Sequence, residues 1–214
     1  MRILPTLTLS LLAVLLAPAA DAAADERTPT QVVRETADTL TARVEGRQQE
    51  LAASPGELYK LVGDVFLPVF DTDYAGRLVM GKHWRTATPA QRQQFIDTFY
   101  DFLLRSYARY VLRFEKEKVR FLPDSGEAPD PKRTVVKTEM QLADGTKLPV
   151  YYSLHQTPKG WRAFDVRIEG ISYVQNYRNQ FNAEIGAKGI DAVIARLKAD
   201  AAKVTTTAPG AGGK

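Results

Sequence analysis

The sequence predicts an α+β domain. N-terminal and C-terminal helices pack on a small curved antiparallel sheet of four strands, with an apolar pocket between sheet and helices. Three observations predict it. Apolar spacing is helical up to Phe114, close to period two from Val119 to Ile168, and helical again after Gly170. Turn signals at Asp144-Gly145 and Pro158-Lys159-Gly160 divide the middle region into hairpins. The third is the stretch from Trp161 to Phe181, which changes period halfway: Phe164, Val166 and Ile168 alternate, then Tyr173, Val174, Tyr177 and Phe181 form a helical stripe. A last strand running straight into an aromatic-lined helix is a joint at which a wide apolar cavity can form.

The elements follow in order. Residues 1–24 read as a cleavable secretory signal. Arg2 gives a short positive start, Leu4 to Leu16 is mostly apolar but short for a bilayer span, and Ala-x-Ala choices end at Ala22 or Ala24. The expected single domain is 25–203, and 204–214, mostly Thr, Ala, Gly and Pro, is expected to be a disordered tail. The first helix is expected over Thr30 to Val44, with Val33, Ala37, Leu40 and Val44 as its stripe. Ser54-Pro55-Gly56-Glu57 has the form of a capping box and opens a second helix carrying Leu58, Leu61, Val62 and Val65. Asp71 is placed to cap a short third helix that Gly81 ends. Thr88-Pro89-Ala90-Gln91 is another capping box, opening a long helix to Phe114 with a broad aromatic face of Phe95, Phe99, Phe102, Tyr107 and Tyr110.

The sheet is expected to begin near Glu117. Val136, Thr138, Met140 and Leu142 share one face of the second strand, and Leu148, Val150, Tyr152 and Leu154 one face of the third. The fourth strand is Trp161 to Ile168. A meander with one apolar face needs helices against that face. The last two helices are expected at Ser172–Ile185 and Ile190–Ala202.

Composition narrows the chemistry. The chain has no cysteine, which excludes disulfides, thiol catalysis, Cys metal sites and a lipid-anchored N-terminal Cys. A net charge of +4, with no basic stripe interleaved with aromatics, gives no case for nucleic-acid binding. The two histidines, His83 and His155, lack a metal-type partner at helical spacing, so no metal is expected. Asp71-Thr72-Asp73 resembles a metal–nucleotide triplet but precedes a helix with no glycine-rich loop, so capping is the simpler reading. Gly170-Ile171-Ser172 begins like a nucleophile elbow, yet Val174 stands where glycine is required. Asp165 alternates away from the apolar face and suits a structural hydrogen bond. No catalytic residue is assigned.

One ordered set of residues resembles a known family. It comprises Val69 to Gly81 (VFDTDYAGRLVMG), His83-Trp84-Arg85, Thr88 to Phe99 (TPAQRQQFIDTF), and Leu104 to Tyr110. It continues with Trp161, Asp165, Gly170-Ile171-Ser172, Asn176-Tyr177-Arg178, Phe181, Gly189 and Leu197. On these residues the chain resembles the MlaC, or toluene-tolerance, family of periplasmic phospholipid-binding proteins. The resemblance fades at both ends and in the 124–133 loop. It implies a periplasmic carrier that takes glycerophospholipids between an outer-membrane lipoprotein–porin complex (MlaA-like) and an inner-membrane ABC transporter complex (MlaFEDB-like). It also implies acyl chains held between a curved sheet and helices, no cofactor and no catalysis. A monomer is the default for a shuttle.

Stripe assignment then gives the expected acyl pocket: Val65, Val69, Leu78, Phe99, Leu103, Tyr107, Val136, Met140, Val150, Tyr152, Phe164, Val166, Ile168, Tyr173 and Tyr177. Arg178 is the candidate for a lipid phosphate, and Arg77, Lys82, Arg85 and Arg92 for docking acidic partners. Two other classes share this scaffold. A small-molecule enzyme, isomerase- or esterase-like, would need a perturbed Asp or His inside the pocket. A plain periplasmic interaction domain would have a filled core.

Overall fold

In the computed structural model, residues 26–113, 118–123, 131–141 and 145–204 are described. The expected leader, the tail from residue 205, and the expected contributions of Phe114, Glu117, Leu142 and Asp144 lie outside them.

The helices begin where local chemistry favours a start. Helix α1 (Pro29–Val44) has Thr28 as its cap: the Thr28 hydroxyl accepts from Gln31 N, and the Gln31 side chain accepts from Thr28 N. Its buried stripe is Val32, Thr36, Leu40 and Val44, one residue out of phase with the expected Val33 and Ala37. The difference arises because the polar Thr36 hydroxyl is satisfied within the helix, donating to Val32 O at 2.6 Å, and so can face inward.

Helix α2 (Gln48–Ala53) buries only Leu51, which is too weak a signal to read from sequence. Helix α3 (Pro55–Phe66) starts as expected, but without the Ser54 capping box: Ser54 makes no side-chain cap bond. Glu57 is drawn away by Arg47, which also holds Glu50.

Residues Leu67–Val69 form a short 3-10 turn into α4 (Thr72–Met80), where Asp71 accepts from Tyr74 N at 2.9 Å. Gly81 ends α4 at φ +55°, a left-handed conformation that disfavours a side chain. Helix α5 (Pro89–Tyr107) starts with the expected Thr88–Gln91 box and becomes a 3-10 turn over Ala108–Arg113.

One antiparallel meander follows: β1 (Val119–Phe121), β2 (Arg133–Gln141), β3 (Lys147–Thr157), β4 (Gly160–Ile168) and β5 (Ile171–Ser172), paired in chain order. The fifth strand exceeds the expected four. It is two residues long and joined to β4 by Glu169-Gly170, both at positive φ, as a tight hairpin requires. The β2–β3 ladder is described up to Gln141↔Lys147, and Asp144 of the expected turn lies outside the described residues. The β3–β4 connection is the two-residue kind, with Thr157 facing Gly160. Helices α6 (Tyr173–Lys188) and α7 (Ile190–Val204) are the last described elements.

Among the described residues, apolar burial is divided among three clusters rather than one contiguous core. The first joins α4, α5, α6 and α7 around Phe95, Phe99, Phe181 and Leu197. The second joins α1, α2 and α3 to the end of α5 around Leu51, Leu58 and Val62, with Leu104 packed on it. The third sets Val32 of α1 on the sheet at Val136 and Leu154. Helix α5 belongs to the first two and holds the helical layer together.

Candidate functional site

The sheet's inner face is built by register. Cross-strand rows place Met140 beside Leu148, Thr138 beside Val150 and Ile168, and Val136 beside Tyr152 and Val166. Side chains alternate along a strand, so these rows share the face that α1 covers at Val136 and Leu154. Val150 and Thr138 are buried there, and Thr138 Oγ1 donates to Val150 O at 2.7 Å. Met140, Leu148, Val166 and Ile168 are half-buried and stand outside all three clusters. Burial pushes the Tyr152 phenol above its ordinary pKa, with the Thr138 side chain working the other way.

Phe164 does not lie on this face. The register shifts between Ser153 and Leu154: Ser153 pairs with Asp165 and Leu154 with Ala163, leaving Phe164 as the extra residue of a bulge. Its ring meets Tyr74 at 5.2 Å and His155 at 5.3 Å, on the side opposite Val166. Asp165, next to Val166 and so on the opposite face, reaches the start of α6, where it accepts from the Ser172 hydroxyl and Val174 N. His155 stacks on Tyr74 at 4.5 Å and its Nε2 lies 2.8 Å from Asp71 Oδ2. His83 Nε2 is 3.2 Å from Asn182 O. Among the described residues, no group of three or more His, Cys, Asp or Glu could hold a metal ion.

The helical residues fall into three groups. Phe99 and Val65 are core: Phe99 packs on Phe95, Tyr177 and Phe181, and Val65 belongs to the α3 cluster. Leu103 packs on the edge of the first cluster, Val69 on that of the third, and Leu78 is half-buried on α4. Tyr107, Tyr173 and Tyr177 meet where the end of α5 faces the start of α6, with Tyr177 itself buried in the first cluster. Tyr107 and Tyr177 share a hydrogen bond between hydroxyls at 3.2 Å, and the Tyr107 ring meets Tyr173 edge-on at 5.6 Å. Tyr110 stands beside Tyr107, 65% exposed. Partial burial raises the phenols of Tyr107, Tyr173 and Tyr177, Tyr173 to about 12.

Arg178 is not among these tyrosines. It projects from α6 toward α4, where a Cβ at Gly81 would lie 3.1 Å from its Nε. Arg77 lies over the Tyr74 ring, and Arg92 over the Trp84 ring while donating to Trp84 O at 2.8 Å.

Three residues of this region, Leu148, Leu104 and Tyr100, were not among the expected pocket residues. Leu148 was readable, because it continues the alternation of Val150 and Tyr152. Leu104 adjoins Leu103 but faces α3. Tyr100 lies off the α5 aromatic stripe, yet its ring packs edge-on against Phe70 at 5.8 Å. Burial raises its phenol strongly, and Asp71, Asp73 and Asp165 add to the effect. No sequence spacing signals that neighbourhood.

Comparison with known proteins gives a consistent result. The "Toluene tolerance protein ttg2D" of Pseudomonas putida is 27% identical over 166 residues, covering 77% of this chain and 76% of its own. The "Intermembrane phospholipid transport system binding protein MlaC" of Haemophilus influenzae is 23% identical over 181 residues, covering 83% and 84%. A solved phospholipid-binding protein of Ralstonia solanacearum, in complex with a phospholipid, superposes with a TM-score of 0.74 at 26% identity, over 81% of this chain and 97% of that one. The family model described as MlaC protein matches residues 34–199. The chain therefore belongs to the MlaC family.

Proposed function

We propose that this protein is a periplasmic carrier of glycerophospholipids, exported by the leader at residues 1–24 and folded as one domain over 25–203. The acyl chains lie against the inner face of the sheet, along Met140, Val150, Tyr152, Val166 and Ile168, under the end of α5 and the start of α6. The tyrosines Tyr107, Tyr173 and Tyr177 stand at the mouth, where a ring can meet hydrocarbon and a hydroxyl can meet water or a headgroup. The lipid passes between an outer-membrane lipoprotein–porin complex and an inner-membrane ABC transporter complex.

The observation that carries this reading is the divided core. Half-buried apolar residues on the inner face stand outside the three clusters, as expected of a pocket wall. The phospholipid-bound relative of the same fold supports it. A carrier is needed physically. Each methylene moved from membrane to water costs about 0.8 kcal/mol, so a lipid with ~30 methylenes costs ~24 kcal/mol to release freely. The pocket must replace that contact without polar locks. Chemistry is disfavoured because the two titratable candidates have structural work: Asp165 accepts from Ser172 and Val174, and His155 pairs with Asp71.

The test is transfer between membranes. Fluorescent phosphatidylglycerol in donor vesicles should move to acceptor vesicles at a rate proportional to added protein. A rate no different from vesicles alone would reject the carrier reading.

A further inference from the structure

The joint between sheet and α6 is anchored by one buried carboxylate. Asp165 is 6% exposed. Its Oδ2 accepts from the Ser172 hydroxyl at 2.6 Å and its Oδ1 from Val174 N at 3.0 Å. Ser172 Oγ accepts in turn from Gln175 N at 3.0 Å, as the cap of α6. Two orphan amides of the first helical turn are thus satisfied by one Asp–Ser pair, with the carboxylate at the positive end of the helix. The strand pairing beside it is short, while Tyr173, Val174 and Tyr177 pack on the first cluster. β5 is a two-residue strand, and Glu169 occupies a left-handed conformation at φ +50°, which a side chain disfavours.

What the anchor holds is the mouth. Tyr173 is the first residue of α6 and Tyr177 lies one turn further on. Their meeting with Tyr107 on α5 depends on where the first turn of α6 sits.

We infer that Asp165 is a positioning residue that sets the rate of lipid release, by fixing the first turn of α6 and so the tyrosines across the mouth. The inference rests on the carrier reading. Loss of the anchor frees the first turn, parts Tyr177 from Tyr107, and opens the path for the acyl chains. Ser172 is the second half of the device and should behave in the same way.

The experiment measures release of a fluorescent phospholipid from preloaded protein into excess acceptor vesicles, with amide hydrogen exchange and thermal unfolding alongside. Asp165→Asn and Ser172→Ala should each release lipid about tenfold faster, the scale of one lost hydrogen bond to a charged group. The amides of residues 173–176 should exchange faster in both. Ser172→Thr, which keeps the hydroxyl, should restore slow release. Leu51→Ala, buried in the α2–α3 cluster, lowers thermal stability elsewhere and should leave release unchanged. If Asp165→Asn does not fold, Ser172→Ala and its Thr rescue carry the test.

Release at the wild-type rate in Asp165→Asn and Ser172→Ala overturns this inference alone, as does equal acceleration by Leu51→Ala. Wild-type protein that holds no lipid overturns the carrier reading and this inference with it.

Discussion

Val166→Asp puts a carboxylate on the inner face with the least disturbance to the fold. Val166 is half-buried, sits beside Tyr152 in the ladder, and belongs to none of the three core clusters. In protein without lipid, the new carboxylate meets water and keeps its charge. With lipid bound, it is pressed against hydrocarbon. An ion taken out of water without a partner costs several kcal/mol even after relaxation. Each 1.4 kcal/mol is tenfold in affinity, so lipid binding should weaken by at least about a thousandfold.

The control is Arg167→Asp, one residue along β4 and exposed on the other face. Both proteins would be purified without detergent, extracted with organic solvent, and assayed for lipid phosphorus per polypeptide, with circular dichroism to check folding. The expectation is folded Val166→Asp without lipid and folded Arg167→Asp with wild-type lipid. Folded Val166→Asp carrying stoichiometric phospholipid would refute the assignment of the inner face.

Three further outcomes are expected. Phe181→Ala removes a fully buried ring packed edge-on to Phe95 and Phe99 at 5.4 Å each, and should cost about 3–5 kcal/mol in denaturant unfolding. Gly76→Ala places a methyl 2.6 Å from Ile96 Cγ1 where α4 crosses α5, and should destabilise by about 1–3 kcal/mol in the same assay. Tyr173, pushed up to about 12 by burial, keeps its proton where an unfolded chain's tyrosine, near 10.0, loses it. The folded state then binds more protons, so this contribution is intact below the unfolded value and is lost as pH rises toward the folded one. Absorbance at ~295 nm should show phenols resisting ionisation past pH ~10; ionisation of every tyrosine at the free value would contradict their burial.

Signals local to a few residues were legible in the sequence. The Thr88–Gln91 box, the Asp71 cap and the Gly81 stop each depend on neighbours within one turn, and each is present. The Ser54 box failed because Arg47 competes for Glu57 through tertiary contact. The α1 stripe slipped from Val33 to Val32 because Thr36 satisfies its own hydroxyl inside the helix. Alternation read straight through Phe164, since nothing in the residue itself marks the extra position that carries it to Tyr74 and His155. At the site, alternation gave the inner-face rows of β2 and β3, and helical spacing gave the tyrosines of α5 and α6. The direction of Arg178 was set by the packing of α4 on α6, which spacing along one helix does not record.

The most direct measurement is native mass spectrometry of the protein isolated from cells without detergent, followed by extraction and identification of whatever it carries. The carrier account predicts a mass above the polypeptide's by that of a glycerophospholipid, whose acyl chains are then identified. A bare polypeptide mass under gentle, detergent-free conditions would contradict it.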